Sequence, residues 1–363
     1  MKNFRLLGAI SLLLLYSCQK DKGGENVDPP VSAALYFPPI NSTEWQITSP
    51  ASLNWNSTAI DGLYTYLEGK STKAFIILKN GKIVLEKYFG TFTQNSDWYW
   101  ASAGKTMTAF LTGIAQEEGL LKLSDKSSKY LGSGWTSLSA AKEDLITIRH
   151  QLTMTTGLDD GVTDNDCTAP DCLVYKADAG TRWAYHNAPY TILDKVIEAA
   201  SGKSFQTYFQ QRIRDRIGMR GLWVKSGYNN VYGSDARSMA RFGLLLLNKG
   251  KWDQTEILKD KDYFNAQIST SQNFNPSYGY LTWLNGKQDY MLPSVQTVFP
   301  GSLAPNAPAD MYCALGKNDQ KIYIVPSQSL VVIRMGDAAG NSHLALSSFD
   351  NELWGKVKTV IGY

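Results

Sequence analysis

The chain has 363 residues, 43% of them hydrophobic, with 10 Trp and 20 Tyr, which is ample material for a large core in one domain or two. The formal net charge is +3, and the 19% of charged residues are scattered along the chain. Without a basic tract or zinc-finger spacing, nucleic acid is excluded as the expected partner.

The N-terminus carries Lys2 and Arg5 ahead of an apolar run, Leu6 to Tyr16, that is too short for a typical membrane-spanning helix. It reads as a secretion signal. The run ends at Leu15-Tyr16-Ser17-Cys18, which resembles a bacterial lipoprotein lipobox. That resemblance implies cleavage before Cys18 and lipidation of its thiol; a plain signal peptide that contains a cysteine is the alternative. Residues 1–17 are then the leader, and residues 18–40, with Gly23, Gly24, Pro29 and Pro30, the lipidated cysteine and a flexible tether. The expected location is the bacterial cell envelope, with the protein held at a membrane by lipid.

From residue 41 onward one large domain is expected. Residues 74–90, AFIILKNGKIVLEKYFG, are two apolar runs joined at Asn80-Gly81, a strong hairpin signal. From Ser102 to Gly119 the period becomes helical, with Met107, Phe110, Leu111, Ile114 and Ala115 on one stripe. Further helices are expected over residues 146–158, 190–200, 204–217 and 234–247. Strands return at 310–315, 320–326 and 329–336, and a last helix spans about 344–361. The order predicts an α+β fold, an antiparallel sheet built from both ends of the chain (about 41–100 and 275–363) with a mostly helical part (about 101–274) beside it. A functional cleft is expected between the two.

Cys167 and Cys172 bracket a short loop, CTAPDC, and in an exported chain are expected to pair with each other. Metal binding is the rival reading, but C-x4-C without nearby histidines is poor zinc spacing. Cys313 reads as a small buried side chain. The acidic residues Asp159, Asp160, Asp164 and Asp166 read as solvated turn residues, with calcium as a weak rival.

The chemistry centres on Ser102-Ala103-Gly104-Lys105, an S-x-x-K at the start of the central helix. Residues i and i+3 share a helical face. A serine at a helix N-terminus meets unpaired N–H groups and a dipole that favours negative charge. Lys105 can accept the serine proton only if burial or a neighbouring cation depresses its pKa. Alone, the pair reads as a capping serine and a surface lysine. His150, His186 and His343 are the only histidines, and no G-x-S-x-G accompanies them, so a Ser-His-Asp triad is not expected.

Two further motifs follow in order: Tyr185-His186-Asn187, a Y-x-N ahead of a helix, and Cys313-Ala314-Leu315-Gly316 ahead of a strand. With their flanks at 146–158, 234–252 and 276–286, these segments resemble the class C β-lactamases, DD-peptidases and related esterases and amidases. The resemblance covers about residues 55–361. It implies a β-lactamase/transpeptidase-like fold and an acyl-enzyme on Ser102, with no cofactor and no metal. Lys105 would be the proton acceptor and Tyr185 a phenolate-like partner for leaving group and water. Asn187, Ala314, Gly316 and Lys317 would line the substrate, with the N–H groups of Ser102 and Lys317 as the oxyanion hole. Where those enzymes usually place a lysine that binds a substrate carboxylate, this chain has Ala314. That departure ranks ester or amide hydrolysis first, D-peptide hydrolysis second and β-lactam hydrolysis third. A non-catalytic binding or sensor protein on the same fold is the rival from another class.

Overall fold

The structure, a computed structural model, describes residues 34–363. The expected leader and Cys18 lie outside the described residues. The strands in chain order are β1 Thr72–Lys79, β2 Lys82–Tyr88, β3 Trp98–Tyr99, β4 Leu222–Ser226, β5 Asn229–Ser234, β6 Lys251–Trp252, β7 Thr255–Glu256, β8 Trp283–Leu284, β9 Asp289–Met291, β10 Val298–Pro300, β11 Tyr312–Gly316, β12 Gln320–Val325 and β13 Leu330–Gly336. Six of them form one antiparallel sheet in the order β2-β1-β13-β12-β11-β8, so the two ends of the chain do build one sheet. The fold is α+β.

Local chemistry explains the hairpin. Asn80 and Gly81 both take positive φ, 51° and 79°, the combination that a two-residue turn between right-twisted strands requires. The strands are apolar on both sides because both faces of the sheet are covered. Helix Ala236–Leu247 crosses β1, β12 and β13 on the face that carries Ile322, Val331 and Ile333. The pleat sends Tyr323 to the other face, where it meets Trp354 of the C-terminal helix Ser348–Ile361, ring centroids 5.5 Å apart.

The central helix Gly104–Glu117 differs from the amphipathic element its stripe predicts. It is buried on every side from Gly104 to Ala115, because it runs between β11 and the surrounding helices. Its threonines are therefore buried too, and Thr106 satisfies its hydroxyl on the Leu281 carbonyl at 2.8 Å. The helix expected over 146–158 is short, Ile148–Leu152, and opens on a capping box between Thr147 and His150, which gives His150 a structural task. The segment 187–201 is two helices, Asn187–Thr191 and Leu193–Ser201, closed by Gly202 at φ 66°. The last helix starts at Ser348 rather than near 344, where Ser347 and Asp350 cap it reciprocally.

The middle of the chain also holds a small sheet that local pattern did not predict. Its order is β3-β5-β4. It joins residues 98–99 to residues 222–234, and pairing between segments so far apart leaves no local signal. Helix Ala236–Leu247, placed by chain order with the helical part, packs on the large sheet instead. Cys167 and Cys172 are bridged, Cα atoms 5.8 Å apart, and Cys313 is buried and free.

Candidate active site

Trp100 anchors the turn that presents Ser102. The indole is fully buried and donates to the Ser234 hydroxyl at 2.8 Å, while its backbone N–H bonds the Tyr232 carbonyl at 2.8 Å. Ala101 follows with φ 47°, an uncommon conformation for a residue with a side chain, and Ala101–Ala103 form a 3-10 turn into the central helix. Gly316 at the end of β11 closes on this turn. A Cβ there would lie 2.3 Å from the Trp100 carbonyl oxygen and 3.0 Å from the Ala103 nitrogen, so only glycine permits the approach.

One helical turn on, Lys105 is 3% exposed, and its Nζ donates to the Ser102 Oγ at 2.9 Å. The amine lies 4.0 Å from the Tyr190 ring centroid and 5.1 Å from that of Tyr185. Burial pulls the Lys105 pKa from 10.5 down to about 7, against the opposing pull of the Asp166 carboxylate. The lysine is thus divided between its neutral and charged forms near neutral pH. The depression comes from desolvation rather than from a second cation.

Tyr185 is also buried. Its ring stacks on Trp283 at 5.9 Å and meets Tyr278 edge-on at 6.2 Å. Its hydroxyl makes no well-formed hydrogen bond, yet stands near enough to Ser102 for that hydroxyl to favour the phenolate. Burial outweighs this influence, Asp166 reinforces burial, and the pKa stays above the usual phenol value. At neutral pH Tyr185 is therefore a protonated phenol, which corrects the expectation of a phenolate-like group in the resting site.

Asn187 donates its Nδ2 to Asp166 Oδ1 at 2.7 Å, while its own Oδ1 is buried without a partner. These groups line one cleft of about 540 Å³ with Ser102, Lys105, Tyr190 and Lys317. On its rim, Asn318 donates to the Tyr99 hydroxyl at 2.7 Å and meets His343 Nδ1 through its Oδ1 at 2.7 Å. Of the expected lining residues, Gly316 packs against the Ser102 turn instead of bordering the cleft, and Ala314 does not border it either. Ala314 is fully buried on the same face of β11 as Gly316, two residues on, and brings no group to the cleft wall. Lys317 is exposed at the rim. His186 is buried behind the cleft, with its pKa lowered to about 4 by desolvation, and does not line it. Among the described residues, no group of three His, Cys, Asp or Glu side chains could hold a metal ion.

Asp166, Tyr190 and His343 were not expected here. Asp166 read as a solvated turn residue, and its one hint was its place beside Cys167, whose bridge shapes that loop. Tyr190 sits where helical periodicity assigns it to a core stripe.

The beta-lactamase family model matches residues 67–346. PbpX of Bacillus subtilis, a penicillin-binding protein by name, is 29% identical over 175 residues, 43% of this chain and 41% of that one, so this chain spans less than half of that relative's length. Two solved structures share the fold. The octameric penicillin-binding protein homologue from Pyrococcus abyssi has a TM-score of 0.61 at 16% identity, over 84% of this chain and 77% of its own. The hydrolase EstCE1, described as having promiscuous acyltransferase activity, has a TM-score of 0.61 at 14% identity, over 86% of this chain and 99% of its own.

Proposed function

The chain belongs to the beta-lactamase family of serine hydrolases, and we propose that it works through an acyl-enzyme on Ser102, with an ester or amide lacking a free carboxylate as its preferred substrate. One observation carries this reading: the Lys105 amine, 2.9 Å from the Ser102 hydroxyl, with its pKa brought to about 7. A base of that strength accepts the serine proton at neutral pH without the imidazole of a triad.

Neutral Lys105 takes the Ser102 proton as Oγ bonds to the carbonyl carbon. The tetrahedral oxyanion is assigned to the N–H groups of Ser102 and Lys317, a reading supported by the close approach of Gly316 to the Ser102 turn. The Tyr185 phenol then protonates the departing alcohol or amine and is reprotonated by the Lys105 ammonium. Water attacks the acyl-enzyme, loses its proton back through the same pair, and the freed acid leaves Ser102 protonated. Asn187, fixed by Asp166, offers its amide to the substrate.

The substrate preference rests on charge. Ala314 supplies no cation, and Asp166 places a carboxylate in the cleft. A D-peptide or β-lactam is the second reading, favoured by the exposed Lys317 at the rim, which a substrate carboxylate can reach. The leader and Cys18 add to the proposal an attachment of the protein to the cell envelope.

The test is the intact mass of the purified protein after incubation with a fluorophosphonate. One adduct per chain is expected for the wild type and none for Ser102→Ala. A folded wild type that takes no adduct refutes the activated nucleophile and leaves the binding-protein reading.

A further inference from the structure

The small sheet β3-β5-β4 has two unlike faces. Register pairs Trp98 with Ser234, Tyr99 with Gly233, Leu222 with Gly233 and Val224 with Val231. Strand alternation therefore puts Trp223 and Tyr232 on the inner face, where they are 8% and 0% exposed. The outer face carries Tyr99, Val231, Leu222 and Val224. Leu222 and Val224 are 53% and 51% exposed, in a position where a two-sided ribbon ordinarily shows polar groups to water.

This face is hollow. A mostly apolar groove of about 470 Å³ runs between Asp97, Trp98 and Tyr99 on one side and Val224, Ser226 and Val231 on the other. Gly233 lies between them, opposite Tyr99, and a Cβ there would meet nothing closer than the Trp98 carbonyl at 3.8 Å. The missing side chain at Gly233 leaves the groove open. Tyr99 and Val231 line both this groove and the cleft of Ser102, so the two spaces share a wall. Tyr99 is held at that junction by the hydrogen bond from Asn318.

We propose that this groove receives the apolar arm of the substrate, an alkyl chain or aromatic ring attached to the ester or amide that Ser102 attacks. The inference rests on the hydrolase reading above and deepens it. The continuity of groove and cleft argues for a substrate arm, because an occupant of the groove lies alongside the reacting bond. The same chemistry can belong to the acyl group or to the departing alcohol, and kinetics separates the two.

The experiment measures kcat/KM for p-nitrophenyl esters from acetate to decanoate, and for acetate esters of alcohols of the same lengths. In the wild type, one series rises by roughly two- to fourfold per added methylene, as burial of each CH2 predicts. The series that rises identifies the arm. Gly233→Val fills the groove from a strand position with ordinary backbone geometry, and Val224→Glu puts a charge on its exposed wall; circular dichroism confirms that both fold. Both are expected to flatten the rising series, and its slope is the quantity read. A wild type that cleaves both series with no dependence on chain length overturns the inference and leaves the hydrolase reading intact. A rise that persists in both variants places the arm elsewhere and also overturns it. A wild type that neither cleaves esters nor takes the fluorophosphonate overturns the hydrolase reading itself, and this inference with it.

Discussion

Lys105→Met should make the protein more stable, and by an amount that depends on pH. The lysine is buried, and its native pKa is about 7 against 10.5 when unfolded. Between those values the unfolded chain holds a proton that the native chain has released, so unfolding takes up a proton and wild-type stability rises with pH. Methionine has no such cost at any pH. Integrating over the shift gives the methionine variant an advantage of about 4 kcal/mol at pH 7 and about 1 kcal/mol at pH 10. The lost hydrogen bond to Ser102 removes about 1 kcal/mol from both. The net expectation is a gain of about 3 kcal/mol at pH 7 that falls close to zero at pH 10. Urea unfolding of wild type and variant at the two pH values, followed by tryptophan fluorescence, measures this difference. An advantage that does not shrink between pH 7 and pH 10 would show that Lys105 keeps an ordinary pKa in the folded protein. The base assigned to the reaction would then be wrong, whatever the activity of the variant.

The same titration governs catalysis: kcat/KM should fall as pH drops through about 7, because the charged Lys105 cannot accept the serine proton, and a pH profile reads the midpoint directly. Asp166→Asn keeps an acceptor for Asn187 but removes the charge that holds the Lys105 pKa up, so the acid limb should move to lower pH; an unmoved limb would show that Asp166 only positions Asn187. Tyr185→Phe leaves the stack on Trp283 in place and should cost roughly 10²- to 10⁴-fold in kcat/KM, the usual worth of a general acid–base group, whereas wild-type rates would reduce Tyr185 to packing.

Local rules account for what the sequence by itself determined. The Asn80-Gly81 hairpin, the three C-terminal strands, the central helix and the S-x-x-K and Y-x-N motifs all rest on contacts within a few residues. The existence and order of the elements followed from turn chemistry and periodicity, and the two motifs were read from the family resemblance. The pairing of Ser102 with Lys105 belongs to this class, since one helical turn brings them together wherever the helix lies. Tertiary structure decided the rest. Whether Lys105 is a base depends on burial under Tyr190 and Tyr185, which stand eighty residues away in sequence. Whether Tyr185 rests as phenol or phenolate depends on the same dry pocket, and here desolvation wins over the neighbouring serine. Asp166 read as a solvated turn residue until Asn187 came within 2.7 Å of it. Ala314 read as a cleft residue, but the strand that carries it is packed on both faces. The small sheet and its groove exist only because residues 98–99 pair with residues 233–234. Desolvation and long-range pairing are properties of the assembled molecule, and no short window of sequence contains them.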